Sequence, residues 1–211
     1  MLGDVLLITE KHEKAAKAIF EKAIKKRKEK FIIAISGESG SGKSELTHVL
    51  AKLYKEKGIR AKPIHIDNYY KIHPLERTEW RVKNIIENSV GLDEYDWKKI
   101  NQNIEDFKQG KKSTMPCIDI VTDQVDLLTS DFGNVDILII DGLYAIETDA
   151  ADVRVFIELT YHETKKAQQK RGKEPENDYR MRVLEQEHQV VQSLKSKADI
   201  FIDTNYNVRF E

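Results

Sequence analysis

The sequence has little cysteine, little proline and no long apolar run, and each shortage excludes a class of protein. Cys117 is the only cysteine among 211 residues, so neither an intrachain disulfide nor a cysteine-based zinc site can form. The 4 prolines do not cluster into a linker, which indicates one domain. No apolar run approaches the roughly 18 residues that a membrane helix needs. Because the first residues also lack the basic start of a signal peptide, we expect a soluble cytoplasmic protein without a membrane partner.

An excess of charge of one sign is also missing. Lys and Arg total 35, Asp and Glu total 36, and the formal net charge is -1. Proteins that bind nucleic acid through its phosphates usually carry a basic surface, so this balance argues against a nucleic-acid partner. The sequence leaves open whether the chain forms a homo-oligomer.

Residues 37–44 fit the phosphate-loop pattern G-x-x-x-x-G-K-[ST] at every fixed position. An apolar, β-branched run precedes them at 31–35, and apolar residues follow at helical spacing. Glycines let the backbone approach a polyphosphate, and the following helix start supplies partial positive charge. We therefore expect ATP to bind at Gly37, Glu38, Ser39, Gly40, Ser41, Gly42, Lys43 and Ser44. Lys43 would reach the β- and γ-phosphates, and the Ser44 hydroxyl would ligate Mg²⁺.

The rest of the chain alternates between strand and helix patterns. Strands are predicted at 31–36, 61–66, 114–120, 135–140, 153–159 and 199–203, and helices at 43–57, 97–109, 161–170 and 179–197. This alternation predicts an α/β fold with a mostly parallel sheet and helices on both of its faces. Residues 1–30 are interpreted as an N-terminal extension, with a short strand at 5–8 and a helix over 9–30. Residues 31–211 form the phosphate-loop domain.

Two aspartates follow predicted strands. Asp141 ends an apolar run, so it would emerge beside the phosphate loop and associate with Mg²⁺; the alternative is a turn aspartate before Gly142. Asp67 follows the strand predicted at 61–66 and could accept a proton from an attacking hydroxyl. The alternative interpretation of Asp67 is a residue of a turn whose tyrosines pack against the core.

Four segments together resemble the uridine kinase and phosphoribulokinase family in order and spacing. They are the loop at 37–44, Asp67-Asn68-Tyr69-Tyr70, Asp93-Glu94-Tyr95-Asp96 and Ile140-Asp141-Gly142. The resemblance covers about 31–203. It implies a P-loop kinase fold and transfer of the ATP γ-phosphate to a hydroxyl of a nucleoside-like small molecule. Asp67 would be the catalytic base, Tyr70 an acceptor contact and Asp141 the metal-associated acid.

The chain departs from this family where the nucleoside should be held. The family's tyrosine and histidine positions contain Ile118 and Asp123, which makes Asp123 a candidate substrate contact. The ungapped match to a ribose-binding aspartate is Val90, although Asp93 could replace it if the loop is shorter. These differences preserve the kinase chemistry and weaken uridine as the substrate. They also leave open the alternative that the chain is a regulatory protein, which binds nucleotide but catalyses no reaction.

A basic region at about 162–182 is interpreted as a small helical lid, because phosphoryl transfer favours cations over the moving group. Arg171 is the first candidate for the transition-state contact, and Arg180 and Arg182 are weaker ones. An exposed, charged helix and loop is the alternative. His188 is expected to be a surface or capped histidine. A GTPase switch is disfavoured because no N-K-x-D segment occurs and the sequence after Asp141 lacks the D-x-x-G pattern.

Overall fold

A six-stranded sheet forms the centre of the protein, in a computed structural model that describes residues 2–165 and 177–211. The eight strands are β1 Phe31–Gly37, β2 Ala61–His65, β3 Lys112–Asp119, β4 Gln124–Asp131, β5 Ile137–Asp141, β6 Val153–Ile157, β7 Ile200–Ile202 and β8 Val208–Phe210. The central sheet has the order β2-β5-β1-β6-β7-β8, while β3 and β4 pair separately. Every neighbouring pair of the central sheet is parallel except β7 with β8. The mostly parallel sheet predicted from the sequence is confirmed.

Helices cover both faces of this sheet, as predicted. They are α1 Glu10–Lys26, α2 Lys43–Glu56, α3 Pro74–Lys83, α4 Ile86–Ser89, α5 Trp97–Lys108 and α6 Asp178–Ser193, with a further helical turn at 161–165. Side chains along β1 alternate between the two faces. Phe31, Ile33 and Ile35 pack with α1 and α2, whereas Ile32 and Ala34 pack with α5 and α6. The strand is buried on both sides, which explains its uninterrupted apolar sequence.

Several elements differ from the sequence predictions. The strand predicted at 114–120 belongs to the β3–β4 hairpin, because a turn of four residues can join only antiparallel strands. No strand forms at 5–8; nearer the N-terminus, Leu2 N–H donates to the Ile118 carbonyl. The strand β4 and the helix α3 were not predicted. Although β4 contains Val125, Leu127 and Leu128, most of it is exposed, and α3 buries only Arg81.

The N-terminal helix α1 packs into the same core as the phosphate-loop helix α2. Ala15, Ala16 and Ile19 are almost completely buried there. At Gly42, where φ is +96°, an added Cβ would overlap the Tyr206 hydroxyl and lie 2.7 Å from His12 Nε2. The Tyr206 hydroxyl also donates to the Ser41 carbonyl at 3.1 Å. The first helix and the C-terminal Tyr206 therefore support the loop from behind, a role for residues 1–30 that the sequence did not reveal.

A buried carboxylate fixes the phosphate loop from its other side. Glu38 is 2% exposed, and it accepts hydrogen bonds from Tyr161 N–H at 2.7 Å and from Gln192 Nε2 at 2.7 Å. His188 Nδ1 lies 2.8 Å from the same carboxylate. His188 was expected at the surface or in a cap, but its side chain is only 28% exposed and it contacts the loop. Glu38 therefore links the loop to α6.

We expect Glu38→Ala to lower the free energy of unfolding by on the order of 3 kcal/mol, because it leaves buried partners of a carboxylate unpaired. Urea unfolding followed by circular dichroism measures this loss, and ATP affinity should fall as the loop loosens. Glu56→Ala, which removes an exposed acid at the end of α2, is the matched control and should change neither quantity. Wild-type stability in Glu38→Ala would contradict the anchoring role.

Candidate active site

Three neighbouring parallel strands end at one edge of the sheet and bring the predicted site segments together. β5 lies between β1 and β2, and Asp141 is aligned with Ile35 on one side and with His65 on the other. The phosphate loop continues from β1, Asp141 ends β5, and Asp67 lies two residues after β2. Ligands of open parallel sheets bind outside the carboxyl ends of the strands. This edge is therefore the candidate active site.

The phosphate loop leads directly into a helix start. Gly42 adopts a left-handed conformation as the N-cap, and α2 begins at Lys43. Backbone N–H groups in the first turn of a helix have no partner within that helix, so they suit an anion. Lys43 Nζ donates to the Glu38 carbonyl at 2.9 Å, which holds the ammonium group across the loop. The eight predicted nucleotide-binding residues run without interruption from the last residue of β1, Gly37, to the first turn of α2.

Asp141 forms a buried pair with a histidine that the sequence reasoning missed. Its Oδ1 lies 2.5 Å from His65 Nδ1, and its side chain is 3% exposed. Burial alone would raise the Asp141 pKa and lower the His65 pKa, but the attraction between the two groups prevails. The Asp141 pKa is therefore lowered and the His65 pKa is raised. His65 is recognisable only from the strand order, because 76 residues separate it from its partner.

The oxygen atoms of Asp141 and Ser44 at this edge are of the type that binds a magnesium ion. Asp141 Oδ2 is buried without a hydrogen bond of ordinary geometry to the described residues, although the nearby Thr47 hydroxyl helps to lower its pKa. Ser44 lies in the first turn of α2. The described residues contain no group of three or more His, Cys, Asp or Glu side chains placed around a metal. Mg²⁺ commonly takes one or two carboxylates together with substrate phosphates, so Asp141 and Ser44 suffice.

Asp67 connects to the second motif of the predicted site through tyrosines. It lies in the 3₁₀ turn Ile66–Tyr69, and the Tyr95 hydroxyl donates to its Oδ1 at 3.4 Å. Tyr95 Oη also lies 2.6 Å from Tyr70 Oη, and the two rings are 4.3 Å apart. Burial raises the pKa of both phenols, which keeps them neutral. The D-N-Y-Y and D-E-Y-D segments therefore meet beside the Asp67 carboxylate.

A glycine allows β5 to approach the turn that carries Asp67. Gly142 has a φ of +153°, and an added Cβ would overlap Ile66 Cγ1 and lie 2.8 Å from Ile66 Cδ1. Ile66 immediately precedes Asp67. The absence of a side chain at 142 thus allows Asp141, the predicted metal ligand, to lie near the turn that carries the predicted base Asp67.

The structure does not bring all the predicted acceptor contacts to this edge. Asp93 is exposed and lines a separate cavity of about 600 Å³ between α5 and residues 147–150, without contribution from Asp67 or the phosphate loop. Asp123 is exposed at the turn between β3 and β4, with a φ of +55°. Its role stays a prediction. Of the three substrate candidates, Tyr70 is the one whose contacts lead to Asp67.

The predicted lid is only partly described. Arg171 lies outside the described residues, so its transition-state contact stays a prediction. The flanking parts do touch the loop: Thr164 Oγ1 donates to the Ser39 carbonyl at 2.7 Å, and Arg180 Nη2 lies 3.4 Å from Ser39 Oγ.

No helix within residues 2–165 and 177–211 is long and apolar enough to cross a membrane.

Comparison with known proteins agrees with this arrangement. Uridine kinase of Ureaplasma parvum is 31% identical over 137 residues, which span 62% of this chain and only 63% of that relative. Uridine kinase of Staphylococcus aureus is 26% identical over 183 residues, or 81% of this chain and 86% of the relative. D-glycerate 3-kinase of Cryptococcus neoformans var. grubii is similar in fold alone, with a TM-score of 0.63 at 12% identity over 96% of this chain and 98% of that chain.

The match to a protein family covers a longer part of the chain than the match to Ureaplasma parvum uridine kinase. Residues 32–204, which include every segment of the candidate site, match the Phosphoribulokinase / Uridine kinase family. The chain belongs to the phosphoribulokinase/uridine kinase family.

Proposed function

We propose that this protein transfers the γ-phosphate of ATP to a hydroxyl group of a small, nucleoside-like acceptor. The observation that carries the proposal is the shared sheet edge, where the phosphate loop, Asp141 and Asp67 follow three adjacent parallel strands. Phosphoryl transfer depends mainly on positioning and on stabilising charge, which this arrangement can supply. Family membership supports the same reaction class.

Each residue has a distinct part in the proposed reaction. The loop N–H groups and Lys43 bind the β- and γ-phosphates and hold them in line with the acceptor. Asp67 accepts the proton of the attacking hydroxyl, and the Tyr95 hydroxyl orients its carboxylate. Ser44 and Asp141 would hold Mg²⁺, which supplies neutralisation of phosphate charge when bound. His65 keeps Asp141 ionised and fixed. Arg171 is proposed to cover the γ-phosphate from the lid.

The acceptor has two candidates. The relatives named uridine kinase support a nucleoside. A different small alcohol is favoured by the altered binding positions, since Ile118 is buried and Asp123 is exposed at a hairpin turn. A structural relative named D-glycerate 3-kinase is consistent with acceptor variation on this fold. An ADP-release assay with nucleosides and small polyols tests both candidates. Release at the no-acceptor background with every compound would instead favour a regulatory nucleotide-binding protein.

Asp67→Asn should lower turnover by about 10²- to 10⁴-fold, the range typical of a general base, because an amide cannot take up the hydroxyl proton. Affinity for a nonhydrolysable ATP analogue, measured by calorimetry, should stay close to that of the wild type. Asp126→Asn, at an exposed position of β4, controls for loss of a carboxylate. Full turnover in Asp67→Asn would remove this residue from the mechanism.

Gly142→Ala should reduce turnover at least about 10²-fold, since misplacement of reacting groups by about 1 Å can have that effect. The added methyl group would push the Ile66 side chain and Asp67 away from β5. Gly58→Ala is the matched control: Gly58 also has a positive φ, +71°, but no atom lies within 4 Å of an added Cβ. Its backbone strain should lower stability without changing kcat. Equal kcat in both variants would contradict the role given to Gly142.

A further inference from the structure

An arginine beside the Asp67 motif has donors that the described protein does not use. Arg77 lies on α3, and its guanidinium carbon is 3.5 Å from the centre of the Tyr70 ring. At this separation the planar guanidinium group stacks on the ring, and its N–H bonds point outward in the plane of the stack. Nε and Nη2 are both buried, and neither has a hydrogen-bond partner among the described residues.

The neighbouring arginine on the same helix shows what this edge of a guanidinium group normally binds. Arg81, one turn after Arg77, donates from Nε and Nη2 to the two carboxylate oxygens of Glu94, at 2.6 Å and 3.0 Å. This bidentate contact suits planar oxyanions and is stronger than a hydrogen bond between neutral groups. Arg77 has the same pair of donors buried without an acceptor. Burial of unpaired charged donors has an unfavourable free energy. An anion from outside the chain would remove this cost by accepting their hydrogen bonds.

Two buried acids of this region, Glu94 and Glu187, already lie beside other cations. Glu94 is held by Arg81, and Glu187 lies 3.9 Å from Arg81 Nη2 and 3.8 Å from Arg180 Nη1. The Tyr144 hydroxyl is a further buried group without a hydrogen-bond partner among the described residues, and its ring lies 5.5 Å from that of Tyr95. Burial also raises the Tyr144 pKa, so this hydroxyl stays a donor. Glu94 and Glu187 therefore do not take up the buried Arg77 donors, and Tyr144 adds a neutral donor to this region.

A chain of side-chain contacts connects the unused donors to the predicted base. Arg77 stacks on Tyr70, the Tyr70 hydroxyl contacts the Tyr95 hydroxyl, and the latter reaches Asp67 Oδ1. One tyrosine pair thus separates the guanidinium edge from the carboxylate that would deprotonate the acceptor. A small molecule with a hydroxyl at one end and an oxyanion a few atoms away could meet both groups.

We propose that the phosphoryl acceptor carries a carboxylate or a phosphate group, which the Nε–Nη2 edge of Arg77 binds. The inference rests on the proposed kinase function, because it describes the acceptor of that reaction. It favours a hydroxy acid or a polyol phosphate over a neutral nucleoside. Arg77 is then a specificity-determining residue, whereas Asp67 supplies the acid–base chemistry.

Binding of three related probes tests this site directly. Glycerol, glycerate and glycerol 3-phosphate share a three-carbon skeleton and differ in having no oxyanion, a carboxylate or a phosphate. Saturation of the phosphate loop with a magnesium complex of a nonhydrolysable ATP analogue prevents the anionic probes from binding there. Calorimetric titration of the wild type should show at least tenfold tighter binding of one anionic probe than of glycerol. The better anionic probe identifies which oxyanion the site prefers.

Variants of α3 then assign the binding to Arg77. Arg77→Met should weaken binding of the preferred anionic probe at least tenfold. Arg77→Lys should give an intermediate affinity, because lysine keeps the positive charge but cannot form the bidentate contact. Lys83→Met removes an exposed charge from the same helix and should bind like the wild type. The melting temperature should not fall in any variant and affinity for the ATP analogue should be unchanged, which separates a lost contact from misfolding.

The outcomes separate the two proposals. Equal binding of the three probes by the wild type, or equal binding of the anionic probe by the wild type and Arg77→Met, would overturn the oxyanion site. Efficient ADP release with uridine, unaffected by Arg77→Met, would overturn it while leaving the kinase function intact. Anion binding that depends on Arg77 without ADP release from any acceptor would support the site and count against the kinase function.

Discussion

The parallel pairing of β2, β5 and β1 is the constraint on which the candidate site depends. Parallel strands all end at the same edge, so segments far apart in sequence emerge side by side. Asp141 lies in register with Ile35 and with His65, and this double alignment joins the phosphate loop to the segment containing Asp67. The phosphate loop and Asp141 follow fully buried strands, whereas Asp67 follows the partly buried edge strand β2.

Buried polar groups fix the parts of the site that are not in strands. Glu38 connects the phosphate loop to α6 and to residue 161, and Gly42 brings the loop against α1 and Tyr206. A buried polar group contributes to one defined structure only when its partners are all in place. Glu38 meets this condition through Tyr161, His188 and Gln192. The unpaired atoms of Asp141 and Arg77 lie where a metal ion and an anionic acceptor group would complete them.

Family membership and local chemistry answer different questions about this protein. The family match covers residues 32–204 and indicates a shared framework for phosphoryl transfer. The acceptor depends on a few side chains outside that framework, since a fold can host several activities. Ile118 and Asp123 differ from the nucleoside-binding pattern, and Arg77 lies on a helix, α3, that no sequence motif marks. The acceptor is therefore a question for these positions rather than for the phosphate loop.

The sequence alone determined the elements whose pattern is local. The apolar run at β1, the glycines of the loop and the amphipathic α5 each carry a short-range signal, so their positions were predicted to within a few residues. The elements β4 and α3 were missed, and their apolar residues, such as Leu127 and Val82, are exposed rather than part of the core. Only the tertiary structure paired His65 with Asp141, set His188 against Glu38 and stacked Arg77 on Tyr70. These contacts join residues from separate elements, and their distances follow from strand order and helix packing, which no local pattern encodes.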